Sequence, residues 1–336
     1  VMNAKTGEIL AMANYPTFDP NRPGLSGTKY HRLSFISDPI EPGSTFKTFT
    51  VASALEHQIA KPNTNYYCER GKFKVGKHLI NEAESKKKFE WMSVEEILQK
   101  SSNIGTTKIA FDLTFPRLKK TLKDFGFGEK TGIQIPGESR GIFTEDENVR
   151  PIRLSNVSFG QGVATTGIQM LRAYAAIANG GKLVRPQIVQ KNSKEKAAGK
   201  RILSENTAKK LTDMLVKAVE GGTGSNAKIP YFTIAGKTST AQKANSSGEY
   251  DGYIPGFVGF PVNVKDKFVI YVYIEDPQTR VYYGNAVAAP VFKKISQYLL
   301  YKSKDFDKLK REKKELANSD GIDLVKMKQS STRFRG

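Results

Sequence analysis

The segment Pro42-Gly43-Ser44-Thr45-Phe46-Lys47-Thr48-Phe49-Thr50-Val51-Ala52-Ser53-Ala54-Leu55 says more about this chain than any other. Pro42-Gly43-Ser44 opens a helix that Phe46, Phe49, Val51, Ala52, Ala54 and Leu55 nearly surround. A helix apolar on most faces belongs inside a core. Ser44 then stands at the N-terminal end of a central element, with Lys47 three residues on and on the same face. A serine hydroxyl is a weak nucleophile until a base takes its proton. A lysine held neutral by burial and by neighbouring cations can be that base. The helix N-terminus adds oriented N–H groups that stabilise an oxyanion beside Ser44. An exposed Ser and Lys on an ordinary helix would carry no chemistry, but the apolar surroundings argue against that.

Two further motifs follow in order. Ser93-Val94-Glu95-Glu96 is a capping box that opens a short helix to Lys100, and this helix delivers Ser101-Ser102-Asn103 just past its end. Alone the tripeptide is an ordinary turn or cap. Facing Ser44, however, Ser101 can relay a proton and Asn103 can donate an amide hydrogen bond to a substrate backbone. Lys237-Thr238-Ser239-Thr240 lies on a predicted strand, so Lys237 and Ser239 point one way and Thr238 and Thr240 the other. Lys237 can supply the cation that lowers the basicity of Lys47, and the threonine hydroxyls can attract a carboxylate. On an edge strand the backbone can also pair with an extended peptide, although a plain surface strand would read the same way.

The remaining text predicts an α+β domain, a central antiparallel sheet flanked by helices with a mainly helical subdomain. Residues 1–14 read as a two-stranded ribbon turning at Lys5-Thr6-Gly7, and 15–43 as a long ordered loop. Helices are expected over 106–125, over Gln169 to Ala178 before Gly180-Gly181, and over Glu205 to Val219 before Gly221-Gly222. The last third changes to strand periodicity: Tyr231 to Thr240, a polar turn at Asn245-Ser246-Ser247-Gly248, then 256–260 and 268–274. A closing helix runs from Ala286 to Tyr301. Trp91, the only tryptophan, reads as core or hinge packing, and the aromatic residues of 253–283 as sheet core. Residues 1–301 form the expected domain. Residues 302–336 are a basic tail of low apolar content in which little fixed structure is expected.

Composition narrows the chemistry further. No stretch of the 336 residues approaches the roughly 20 apolar residues of a membrane span. The chain opens at Val1 directly into strand-like text, which suggests an excised fragment whose anchoring segment has been left out. Cys68 has no partner for an internal disulfide and does not decide the compartment. The histidines His31, His57 and His78 lie near no other His or Cys at metal-ligand spacing. No metal, cofactor or Ser-His-Asp triad is expected. A net charge of +20 raises nucleic-acid binding, but the basic runs are dispersed and no recognition motif accompanies them. A solvated basic surface, or apposition against an anionic membrane or wall polymer, accounts for the charge, and no nucleic acid is expected.

The three motifs in this order resemble those of penicillin-binding proteins and serine β-lactamases. Thr6-Gly7-Glu8-Ile9-Leu10-Ala11-Met12, Glu41-Pro42-Gly43-Ser44-Thr45-Phe46-Lys47, Gly132-Ile133-Gln134-Ile135-Pro136-Gly137-Glu138, Ala173 to Gly181, Gly222-Thr223-Gly224 and Ala288-Ala289-Pro290-Val291-Phe292 all look like the transpeptidase domain of class B penicillin-binding proteins. Glu-Pro-Gly-Ser-Thr-Phe-Lys and Pro-Gly-Glu-Ser lean toward the division and sporulation branch. The resemblance implies a peptidoglycan D,D-transpeptidase fold and activity. Ser44 would attack the carbonyl between the two terminal D-alanines of a stem pentapeptide, with Lys47 as base. Ser101 and Lys237 would pass the proton to the leaving amine. The N–H groups of Ser44 and Thr240 would form the oxyanion hole, and Thr238 and Thr240 would hold the carboxylate. β-Lactams would acylate the same serine. The resemblance further implies an N-terminal membrane anchor, an extracytoplasmic (periplasmic) catalytic domain, and a membrane glycosyltransferase and divisome proteins as partners.

One departure stands out: Ser239 occupies a position where the family usually has glycine, and altered β-lactam affinity or acylation rate is expected. A serine β-lactamase, a D,D-carboxypeptidase and a β-lactam-sensing receptor domain are the alternatives. No Glu-x-x-Leu-Asn-type segment of the kind that positions hydrolytic water is present.

Overall fold

Apolar residues on nearly every face place helix α2 (Lys47–Glu56) at the centre of the molecule, where Lys47 to Leu55 are all buried. The computed structural model describes residues 1–84, 87–143, 146, 148–189, 199–244, 250–303, 306–307 and 310–311. The turn expected at Asn245 to Gly248 lies outside them, as does most of the 302–336 tail and part of the Lys86-Lys87-Lys88 and Lys194 to Arg201 runs.

The main sheet contains β1 (Met2–Asn3), β8 (Ile234–Ala244), β9 (Tyr250–Pro261) and β10 (Phe268–Tyr273), ordered β1-β10-β9-β8 and antiparallel throughout. Alternation along these strands covers both faces. Phe257, Phe268 and Ile270 pack with Phe292 of α9 (Gly284–Tyr301), while Val258, Phe260, Val269 and Tyr271 join the larger core with α7 (Gly167–Ala178). Helices on both sides of a sheet make a three-layer arrangement. Strand β8 is the outer strand, and α8 (Glu205–Glu220) packs against it.

The helical part surrounds α2 with α3 (Val94–Lys100), α4 (Asn103–Leu113) and α5 (Phe115–Asp124), together with α8. Phe49 is in ring contact with Phe46, Phe125, Phe127 and Tyr174, at centroid distances from 4.8 to 5.5 Å. Burying each such ring contributes about 1.5–3 kcal/mol, which makes this cluster the anchor of the segment that carries Ser44. Two small strand pairs complete the wall: β2 (Asn65–Tyr67) pairs with β5 (Trp91–Ser93), and between them β3 (Lys72–Val75) forms a hairpin with β4 (His78–Asn81). Short strands β6 (Lys182–Leu183) and β7 (Lys200–Arg201) pair beside α7.

The α+β architecture and the antiparallel sheet are as the sequence predicts, and several local expectations are corrected. The N-terminal ribbon reduces to β1 on β10 plus a single Met2–Ile9 bridge. The helix expected over 106–125 is two, parted at Thr114 (φ 66°), because Pro116 supplies no N–H to continue the ladder. A further helix, α6 (Pro151–Ser158), packs on α4. The loop of residues 15–43 contains α1 (Ser34–Ser37). Trp91 is neither core nor hinge: it is 69% exposed, tilted against Tyr67. A two-stranded pair has only one face to cover, and Met92 takes it. Beyond Tyr301, Phe306 packs against Tyr231, Phe232 and Tyr301.

Candidate active site

Ser44 sits in a 3-10 turn (Gly43–Thr45) that runs into α2, one step earlier than a regular helical start. The turn is clamped from several sides. Gly43 N–H donates to the Gly160 carbonyl at 3.0 Å. Thr45 Oγ1 donates to Pro42 O at 2.6 Å, and Tyr174 OH donates to Thr45 O at 2.8 Å. The Glu41 carboxylate accepts the Gly162 N–H at 2.7 Å. Gly160 has φ +84°, and a Cβ there would stand 2.2 Å from Gly43 O, so only glycine lets the 159–162 loop approach this closely.

Lys47 is fully buried one turn further on. Its Nζ donates to Ser101 O at 2.6 Å and to Ser101 Oγ at 3.1 Å. Ser101 caps the C-terminus of α3 in the left-handed region (φ 63°). That conformation is unusual for a residue with a Cβ and turns both of its oxygens toward the lysine. Ser102 then caps α4, its Oγ accepting from Gly105 N at 3.0 Å. Asn103 donates through its amide to Asn81 O at 2.9 Å.

On β8, Lys237 is also fully buried, with Nζ 3.4 Å from Thr223 Oγ1 and from Thr238 O. Thr238 Oγ1 donates to Thr223 Oγ1 at 2.8 Å, and Thr240 Oγ1 accepts the Gly284 N–H at 3.2 Å. Ser239 stands opposite Gly256 in the sheet register. Its Oγ lies 2.7 Å from the place a Gly256 Cβ would occupy, so the extra hydroxymethyl is seated in space that its partner strand leaves open.

These elements converge on one cleft of about 830 Å³. Ser44, Ser101, Asn103, Thr238, Ser239 and Thr240 line it, while Lys47 and Lys237 lie buried behind that surface. None of the three histidines lines it. Among the described residues no group of three or more His, Cys, Asp and Glu gathers where it could hold a metal. Burial lowers the Lys47 ammonium to about 7, with the negative charge of Glu82 opposing and Lys87 reinforcing the shift. Lys237 is held well below the ordinary lysine range by burial first and then by Lys47 and Lys87. A neutral amine within reach of hydroxyls near pH 7 is a competent proton acceptor.

The structure also brings in residues that sequence reading missed. Glu82 lines the cleft and accepts hydrogen bonds from the second motif. Thr223 joins Lys237 to Thr238; the Gly222-Thr223-Gly224 run was its only signal. Of the 253–283 aromatics, Phe257, Phe260 and Tyr271 are core as expected, but Tyr253, Tyr282 and Tyr283 line the cleft instead. Tyr253 and Tyr282 stack there at 4.0 Å.

A family model described as penicillin binding protein transpeptidase domain matches residues 1–297. The chain is similar to "Probable peptidoglycan D,D-transpeptidase PenA" of Neisseria meningitidis, 34% identical over 297 residues covering 88% of this chain and 50% of the relative. It is similar to "Stage V sporulation protein D" of Bacillus subtilis, 36% identical over 303 residues covering 86% and 47%. The chain thus spans about half the length of the curated relatives it matches. Among solved structures it is similar to the transpeptidase domain of penicillin-binding protein 3 from Burkholderia pseudomallei. That match has a TM-score of 0.80 and 31% identity, and covers 89% of this chain and 86% of that one.

Proposed function

Because this chain belongs to the penicillin-binding protein transpeptidase family, we propose that it is the catalytic domain of a peptidoglycan D,D-transpeptidase of septal wall synthesis. The observation that carries the reading is the contact between buried Lys47 and Ser101, one helical turn from Ser44, in a cleft bordered by the outer strand β8. A stem peptide ending in D-Ala-D-Ala would extend along β8 as an added strand. Its carboxylate would meet the hydroxyls of Thr238 and Thr240.

Ser44 Oγ attacks the carbonyl carbon of the penultimate D-alanine, and its proton passes to neutral Lys47. The N–H groups of Ser44 and Thr240 stabilise the tetrahedral oxyanion. When the C–N bond breaks, Ser101 and Lys237 guide a proton to the leaving amine and D-alanine departs. Asn103 orients the peptide backbone. An amine of a neighbouring stem then attacks the ester carbonyl, forming the cross-link and returning the proton to Ser44 Oγ. A β-lactam enters by the same attack and leaves a ring-opened ester on Ser44.

The reading extends to location and partners. The substrate stem lies outside the cytoplasmic membrane, so an extracytoplasmic, membrane-anchored enzyme beside a membrane glycosyltransferase and divisome proteins is part of this proposal. No helix among the described residues is long and apolar enough to cross a membrane. Incubation with a stem pentapeptide and an amine acceptor tests the activity. One D-alanine released per cross-link formed, with both lost in Ser44→Ala, supports transfer. D-alanine release without any amine adduct would instead mark a carboxypeptidase.

A further inference from the structure

We propose that Glu82 is a positioning residue of the acylation site, fixing the Ser101–Asn103 segment against Lys47 and setting the charge balance around that lysine. This rests on the transpeptidase reading above and deepens it. Glu82 follows β4 on the cleft wall and is only 6% exposed. Both of its oxygens are used: Oε1 accepts from Ser102 Oγ at 2.5 Å, and Oε2 from Asn103 N–H at 2.7 Å. Among the described residues it makes no ion pair within 4 Å. A buried carboxylate is costly unless such bonds and a helix N-terminus offset it.

Capping alone does not account for the residue, because Ser102 Oγ already satisfies Gly105 N–H at the start of α4. What the carboxylate adds is a rigid hold on the residues either side of Ser102. Ser101 presents its two oxygens to Lys47, and Asn103 faces the cleft.

It also adds charge. Lys47 from α2 and Lys237 from β8 are both buried, Lys87 and Lys100 line the same cleft, and Glu84 is paired with Lys87. The Cys68 thiol, 3.7 Å from Ser102 Oγ, is pushed up to about 11 by burial and contributes no charge near neutrality. Glu82 is therefore the buried carboxylate beside these two buried amines and the cleft cations Lys87 and Lys100. It raises the affinity of Lys47 for a proton, in opposition to burial and Lys87. With Glu82 neutral, Lys47 becomes a weaker base that stays deprotonated to lower pH.

The test is the second-order rate of Ser44 acylation by a fluorescent penicillin from about pH 5 to about pH 9, in the intact chain and in Glu82→Gln, Glu82→Met and Glu82→Asp. In the neutral variants the plateau rate falls on the order of tenfold, while the acid limb moves down by roughly half a pH unit. That is about a threefold rise in the rate at pH 6 relative to the plateau. Glu82→Asp, which keeps the charge, returns the limb to the parent position. Glu82→Met serves if the new amide donor facing Ser102 unfolds the wall, and thermal melting identifies which variants are folded. A lower plateau with an unmoved limb in a folded neutral variant would reduce Glu82 to a structural role and overturn the proposal. So would a limb in Glu82→Asp displaced as far as in Glu82→Gln. A parent chain that takes no penicillin at all is a separate outcome, which refutes the transpeptidase reading.

Discussion

Adding one methyl group at Gly256 probes how the third motif accommodates Ser239. In Gly256→Ala the new Cβ would stand 2.7 Å from Ser239 Oγ, whereas Tyr271 Cε2 and Val272 O lie at an ordinary 3.4 Å. The serine has little room to retreat, since it is 3% exposed and its backbone O and N lie 2.4 and 3.3 Å from a Cβ position at Gly284. Overpacking of this kind costs about 1–3 kcal/mol, a fall of on the order of 2–4 °C in melting temperature per kcal/mol. In a Ser239→Gly background the clashing atom is gone, and the cost of Gly256→Ala drops close to zero. A double-mutant cycle read by thermal or denaturant melting therefore gives a coupling of about 1–3 kcal/mol. Equal destabilisation in both backgrounds would refute the claim that Gly256 makes the space for Ser239. Ser239→Gly alone is expected to change acylation, and unchanged rates with both a penicillin and a cephalosporin would remove Ser239 from any part in β-lactam recognition.

Two other perturbations act on the Ser44–Lys47 turn directly. Gly160→Ala places a Cβ 2.2 Å from Gly43 O at a φ of +84°. It should cost roughly 2–4 kcal/mol and slow acylation of Ser44 more than about tenfold; an unchanged melting point and rate would contradict the clamp. The acylation rate should rise as pH increases through about 7, where Lys47 loses its proton, and stopped-flow penicillin labelling across pH measures this. Stability follows with a defined sign. Folded Lys47 binds a proton less readily than the unfolded chain, so unfolding takes up protons between about pH 7 and the ordinary lysine range, and stability rises with pH across that window. Lys237 acts in the same direction. Lys47→Met should flatten part of that slope in pH-dependent melts, and an unaltered slope would contradict a buried, readily deprotonated lysine.

What the sequence reveals of this protein follows the range of each interaction. Ser44 and Lys47 are legible because a three-residue spacing on an apolar helix is local information. The strand carrying Lys237 and the helices α7 to α9 are legible for the same reason, through periodicity and their flanking glycines. Glu82 is not: 20 residues separate it from Ser102, and a glutamate after a short hairpin strand looks like any surface residue until β4 folds against α4. Trp91 misleads because burial depends on whether a second face exists to cover it, and the β2–β5 pair offers one. The break at Thr114 is marked by Pro116 two residues on, yet the text either side remains compatible with one helix. Helix α6 is only eight residues long, with Arg153, Ser155, Asn156 and Ser158 interrupting Ile152, Leu154 and Val157, too short a pattern to separate from a loop before it packs on α4. Tyr282 and Tyr283 have the composition of sheet core, but they stand just before α9, where the chain passes the mouth of the cleft.

Intact-mass analysis after incubation with penicillin reads acylation of Ser44 itself. A serine acyl-enzyme gives a gain of one penicillin mass that persists for hours, maps to Ser44 and is absent in Ser44→Ala. No adduct on the parent chain, an adduct that survives Ser44→Ala, or rapid loss of the adduct with release of hydrolysed antibiotic would contradict it.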